Sequence, residues 1–177
     1  MDPKTSRILF LTGATHSGKT LLADRLMKRY GIPVFSLDLL KMGLIRSGRT
    51  ALTPYDDDAL TEELWPIVRE MVRTALENDR SLIVEGGYVP WNWADSFTPE
   101  ERGHIFAAAL IMTPAYVEAH YEDILRYAEA SEKRMGPPPA KEELLLEHAK
   151  TAELAARHDF HVIRIEKDYR PDYRFPR

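Results

Sequence analysis

Cysteine is absent from the 177-residue sequence. That excludes a disulfide framework and any thiolate chemistry. Long hydrophobic runs are also missing. The longest, residues 105–112, falls well short of the roughly 20 apolar residues that a membrane-crossing helix needs. The opening Met1-Asp2-Pro3-Lys4-Thr5-Ser6 has no apolar segment behind a basic leader, so a cytoplasmic location without a membrane partner is expected. Neither charge dominates: 24 basic residues face 28 acidic ones, a net charge of −4. That balance argues against a partner with a long phosphate backbone, so nucleic acid is not an expected partner. The six histidines form no H-E-x-x-H or clustered pair, so a protein-held zinc is not expected. No G-x-S-x-G elbow is present to support hydrolase chemistry.

What is present is an alternation of short apolar runs and helical patterns over a length suited to one domain, residues 1–177. Strands are predicted at 7–12, 33–36, 81–85, 104–112 and 160–165, with the alanines of the fourth leaving a helix open. Helices are predicted at 21–30, 38–46, 57–78, 113–130 and 140–157. Pro66 predicts a kink or a fresh start near Trp65. Such alternation implies an α/β fold with a parallel sheet covered by helices on both faces. The stretch 168–177 has no period and reads as a loose end or a docking arm.

One motif decides the chemistry. Gly13-Ala14-Thr15-His16-Ser17-Gly18-Lys19-Thr20 fits G-x-x-x-x-G-K-[ST] without a mismatch, between a predicted strand and a predicted helix. The glycines let the backbone curl so that its N–H groups point inward at phosphate oxygens, and the following helix presents its positive end. Lys19 can bridge the terminal phosphates of ATP, and Thr20 can offer its hydroxyl to Mg²⁺. Residues 13–20 are therefore the expected nucleotide-binding segment, and the motif alone leaves GTPases, ATPase motors, kinases and binding modules open. GTP-specific switches would need N-K-x-D, and neither that nor D-x-x-G occurs.

The chain resembles the small P-loop kinases, the group of shikimate and gluconate kinases, chloramphenicol phosphotransferase and zeta-toxin kinases. The likeness rests on the phosphate loop, an acid after the second strand, a glycine turn after the third, and a basic segment before the last. It implies a three-layer fold with a five-stranded parallel sheet in the order 2-3-1-4-5, and a small lid, placed at about 126–140. It also implies ATP and Mg²⁺ as cofactors and a hydroxyl-bearing small molecule as acceptor.

Residue by residue, the resemblance gives Asp38 the role of meeting the acceptor hydroxyl and taking its proton. As a sequence feature alone, Asp38 also fits a helix start. Glu85, at a strand end, can hold Mg²⁺ through water or serve as a structural hydrogen-bonding acid. Gly86, Gly87 and Tyr88 look like the turn that faces substrate in shikimate kinase, with Tyr88 in place of a third glycine. The turn is also similar to the D-G-[FY]-P-R segment of nucleoside monophosphate kinases. Trp91 stands where their arginine would be, which counts against a nucleoside monophosphate acceptor. A lid must bring cations onto the transferring phosphates, and Arg126 and Arg134 are the candidates, with Glu129 and Glu132 interleaved as on a solvated face. Arg46, with Arg49 nearby, could bind an anionic acceptor or be plain surface charge. Tyr88, Trp91 and Trp93 could wall a pocket or simply pack. Asp56-Asp57-Asp58 reads as a helix start, with a cation clamp as the alternative.

The expected activity is transfer of the γ-phosphoryl of Mg·ATP to a small-molecule hydroxyl. Two alternatives stay open on sequence: an ATP-binding sensing or docking module without an acceptor, and a kinase of nucleotide sugars or RNA ends.

Overall fold

The computed structural model describes residues 6–131 and 137–176. Its centre is β1 (Ile8–Gly13), flanked by β3 (Leu82–Glu85) and β4 (Ile105–Met112), with β2 (Val34–Ser36) and β5 (His161–Ile165) at the edges. The order is β2-β3-β1-β4-β5 and every pairing is parallel. The fourth segment, where a helix was open, is a strand: Ala107, Ala108 and Ala109 pair with Phe10, Leu11 and Thr12.

Side chains on β1 alternate between two cores, as a strand buried on both faces requires. Leu9 and Leu11 join Leu22 and Leu26 of α1 (Lys19–Tyr30) and Val117 and Ile124 of α5 (Pro114–Ser131). Ile8 and Phe10 join Leu37 of α2 (Leu37–Arg46) and Leu60, Leu64 and Val68 of α3 (Asp57–Glu77). A short α4 (Pro99–Arg102) precedes β4, and its Thr98–Glu101 capping box accounts for its start. The last helix, α6 (Lys141–Arg157), gives Leu144 to the first core and Ala155 to the second.

One expectation is narrowed and another corrected. Pro66 starts no new helix: α3 runs through it as one element. The proline is exposed while Leu64, Trp65 and Val68 stay buried, so its ring lies on the solvent side and the core face is preserved. A separate irregularity lies in α5, where His120 leaves helical geometry at φ −127°, ψ 19°. The C-terminal stretch is also not loose. Tyr173 and Phe175 are buried and meet edge to face with centroids 5.3 Å apart, and Phe175 packs likewise on Tyr30 and Phe106. An exposed Arg29–Asp172 ion pair adds little to this burial of two aromatic rings. Among the described residues, no helix is long and apolar enough to cross a membrane.

Candidate functional site

Parallel α/β sheets place ligands beyond the carboxyl ends of their strands. Here those ends open into one cleft of about 2600 Å³, lined by the 13–20 loop, Asp38, Lys41, Arg46, Asp57, Glu85, Gly87 and Tyr88 among others. The loop turns through His16 at φ 58° and Gly18 at φ 84°, left-handed conformations that aim successive N–H groups inward. Lys19 folds back over it, with Nζ donating to the carbonyls of Gly13 at 3.1 Å and Ala14 at 2.9 Å. His16 Nδ1 lies 3.2 Å from Thr15 Oγ1. The loop fits an anion, and one is already on it: the N–H of Thr15 donates to Glu147 Oε1 of α6 at 2.6 Å. That carboxylate oxygen stands in chemically for a phosphate oxygen.

Glu85 ends β3 inside the cleft, 2% exposed, and accepts from Thr20 Oγ1 at 3.2 Å. A carboxylate this buried is costly unless its oxygens are satisfied. Two hard oxygen donors side by side next to a phosphate loop suit Mg²⁺, which takes one or two protein ligands and keeps waters and phosphates for the rest. Thr20 and Glu85 fit that ion. When bound, Mg²⁺ would neutralise charge on the β- and γ-phosphates.

Across the cleft, Asp38 lies in the first turn of α2. It is no bare helix start, because Lys41 Nζ holds its Oδ1 at 2.8 Å. Lys41 also donates to Tyr88 Oη at 2.8 Å, and Tyr88 donates to Asp57 Oδ1 at 3.0 Å. Burial pushes the Tyr88 phenol up to about 12, so it remains a neutral donor. Asp57 and Asp58 line the cleft from the first turn of α3, whereas Asp56 turns back to accept from the N–H and hydroxyl of Thr53.

The glycine turn divides. Gly87 faces the cleft with open space beside it. Gly86 does not line it; at φ 148° a Cβ there would stand 2.8 Å from Leu37 Cβ, so this glycine lets α2 sit against the strand end. Of the nearby aromatics, Tyr88 and Trp91 reach the cleft, while Trp93 packs edge-on to Phe10. Arg46 is an exposed cleft-rim residue.

Of the two basic residues expected in a lid, Arg126 is not brought to the loop. Arg126 is exposed on α5, where it pairs with Asp123 at 2.7 Å and lies outside the cleft lining. Exposed pairs of this kind belong to a solvated helix face. Arg134 lies outside the described residues, as does the central part of the expected lid.

Sequence reasoning missed four residues. The spacing of Lys41, three after Asp38 on a helix, was a usable signal for an ion pair. Glu147 carried none, since only the tertiary fold brings α6 to the loop. His148 is 3% exposed; its Nδ1 accepts from the Met112 N–H at 2.9 Å, and Nε2 has no hydrogen-bond partner among the described residues. Burial, helped by the charge of Lys19, pulls this imidazole down to about 4. Tyr169, from the C-terminal stretch, donates to the carbonyl of Ser17 at 3.0 Å, and burial pushes its phenol up to about 12.

No family model and no curated protein matches the sequence. Solved structures do. A shikimate kinase from Bacteroides thetaiotaomicron is similar at a TM-score of 0.51 and 18% identity, over 89% of this chain and 86% of that one. A gluconokinase from Sinorhizobium meliloti gives 0.55 and 16%, over 93% and 85%. A sugar kinase from Janibacter sp. gives 0.50 and 20%, over 91% and 85%. With the parallel order β2-β3-β1-β4-β5 and the loop between β1 and α1, the chain has the fold of the small P-loop kinases.

Proposed function

We propose that this protein transfers the γ-phosphoryl group of Mg·ATP to a hydroxyl of a small molecule. One observation carries the reading: the phosphate loop, the Thr20–Glu85 oxygen pair and the Asp38 carboxylate open into the same cleft. Residues 13–20 cradle the phosphates. Lys19 swings from the Gly13 and Ala14 carbonyls onto the terminal phosphates, a short move for a flexible four-carbon stem. Asp38 takes the acceptor's hydroxyl hydrogen bond and its proton. Thr20 and Glu85 hold the ion, directly and through water. Arg46 at the rim, Gly87 and Tyr88 contact the acceptor. Among the similar solved structures are a shikimate kinase, a gluconokinase and a sugar kinase, which fits a hydroxyl acceptor.

The test uses γ-labelled ATP, Mg²⁺ and a fractionated metabolite extract, with label transfer read by mass spectrometry. Wild type is expected to label a product, and Asp38→Asn to lose about 100-fold in turnover with ATP binding kept. Lys19→Ala is expected to lose turnover with the fold intact. ATP binding without a labelled product from any fraction would instead favour a nucleotide sensor.

A further inference from the structure

Three separate elements are joined by one chain of polar contacts that runs through the Lys41 ammonium. The Lys41 side chain is 12% exposed, while that of its partner Asp38 is 36% exposed. Lys41 springs from α2, Tyr88 from the turn after β3 and Asp57 from the start of α3, and they join as Asp57–Tyr88–Lys41–Asp38 through contacts of 3.0, 2.8 and 2.8 Å. A lysine that merely neutralised an exposed aspartate would gain little and would keep its rotamer freedom. Here Tyr88 anchors the ammonium, and Asp57 anchors Tyr88. The Lys41 Nζ also lies 4.9 Å from the centroid of the Tyr88 ring. Burial works against the charge, but the hydrogen bonds with Asp38 and Tyr88 outweigh it and raise the Lys41 pKa, so the group stays an ammonium.

The consequence falls on Asp38. Its Oδ1 is held by Lys41, and no described residue takes Oδ2, although the side chain lines the cleft. A carboxylate fixed at one oxygen presents the other in a defined direction.

We propose that Lys41 is the positioning residue for phosphoryl transfer: anchored through Tyr88 to Asp57, it pins one oxygen of Asp38 so that the other meets the acceptor hydroxyl. The proposal rests on the transferase reading above and adds a residue to it. In the step it serves, the acceptor oxygen bonds to the γ-phosphorus of ATP. The bond from that phosphorus to the β–γ bridging oxygen breaks, its electron pair leaving on ADP. The hydroxyl proton passes to Asp38. Lys41 keeps its own protons throughout, so it acts on the geometry of Asp38 and not as an acid.

The test needs no knowledge of the acceptor, because water can take its place. ADP formation from Mg·ATP is followed at saturating nucleotide, and ATPγS affinity is measured separately by calorimetry. Lys41→Met, which keeps the length and loses the charge, is expected to lower kcat for ADP formation about 100-fold with ATP KM and ATPγS affinity within twofold of wild type. Lys41→Arg should recover at least tenfold of that loss. Tyr88→Phe, which leaves Lys41 without its anchor, should fall between wild type and Lys41→Met. The Asp38→Asn/Lys41→Met double variant should be no slower than Asp38→Asn alone, since Lys41 acts through Asp38.

Equal kcat in wild type and Lys41→Met would overturn the role of Lys41 and leave the transferase reading standing. So would losses that multiply in the double variant, or a parallel loss of ATPγS binding. A wild-type protein that binds ATPγS yet forms no ADP, either in buffer or with any fraction of the metabolite extract, would overturn the transferase reading and the proposal together.

Discussion

Tyr169 fills the space above Gly18 that any other residue's Cβ would occupy. A Cβ built at Gly18 stands 1.7 Å from the Tyr169 hydroxyl oxygen. That same hydroxyl donates to the Ser17 carbonyl at 3.0 Å, so the end of the chain is latched onto the phosphate loop near its start. The latch holds because Tyr173 and Phe175, a few residues on, are buried in the core beside α1. The phosphate loop is therefore shaped both by its own glycines and by a strap from the other end of the sequence.

Gly18→Ala meets two obstacles at once, the phenol oxygen and a backbone held at φ 84°. It is expected to cost about 1–3 kcal/mol of stability and to weaken Mg·ATP binding at least about tenfold. Tyr169→Phe removes only the latch hydrogen bond and should cost about 1 kcal/mol. Thermal unfolding and calorimetry of the two variants check this. If Gly18→Ala bound nucleotide as wild type does, the strap would have no influence on the loop.

The phosphate loop was legible from eight consecutive residues because its chemistry is local: backbone turn, positive helix end, lysine and hydroxyl. The strand order followed from resemblance, and the strands themselves from apolar runs that only a doubly covered sheet buries. What stayed illegible depends on distant segments meeting. Nothing in residues 168–176 says that Tyr169 will find Ser17. Nothing in the pattern of α6 says that Glu147 will reach Thr15. Tyr88 could be placed at the cleft by its position after β3, but its choice of Lys41 and Asp57 as partners needed the coordinates. Arg126 is a different case. A cation near an expected lid looks functional in sequence, and in the structure it pairs with its i,i+3 neighbour Asp123 on the helix surface.

Glu147 places a negative oxygen on the N–H of Thr15, within the loop proposed to receive phosphates. A bound triphosphate either displaces that carboxylate or suffers repulsion from it. Glu147→Gln keeps an oxygen acceptor at that length and removes the charge. It is expected to tighten Mg·ATP binding about tenfold, equivalent to about 1.4 kcal/mol. Isothermal calorimetry at fixed Mg²⁺ decides it: unchanged or weaker binding would mean that the carboxylate does not compete with phosphate.

His148 ties stability to acid. Its Nδ1 must be an acceptor, because the group facing it is the Met112 N–H, so the folded protein holds the neutral ring. Burial and the charge of Lys19 bring its pKa to about 4, against 6.5 for the ordinary imidazole. Between these two values the unfolded chain binds a proton at this position and the folded chain does not. The stability that depends on a neutral His148 is thus intact above pH 6.5 and is lost as the pH falls through that window toward 4. Below it both states carry the proton and the loss stops growing. A gap of this size corresponds to roughly 3 kcal/mol, with a slope of at most about 1.4 kcal/mol per pH unit. His148→Asn retains an acceptor for Met112 and cannot titrate. Its unfolding free energy, measured in urea at a series of pH values, should start below that of wild type at pH 8. The difference should then shrink steadily between pH 6.5 and 4. Two curves that ran parallel across that window would show that the buried imidazole contributes nothing to the acid sensitivity of the fold.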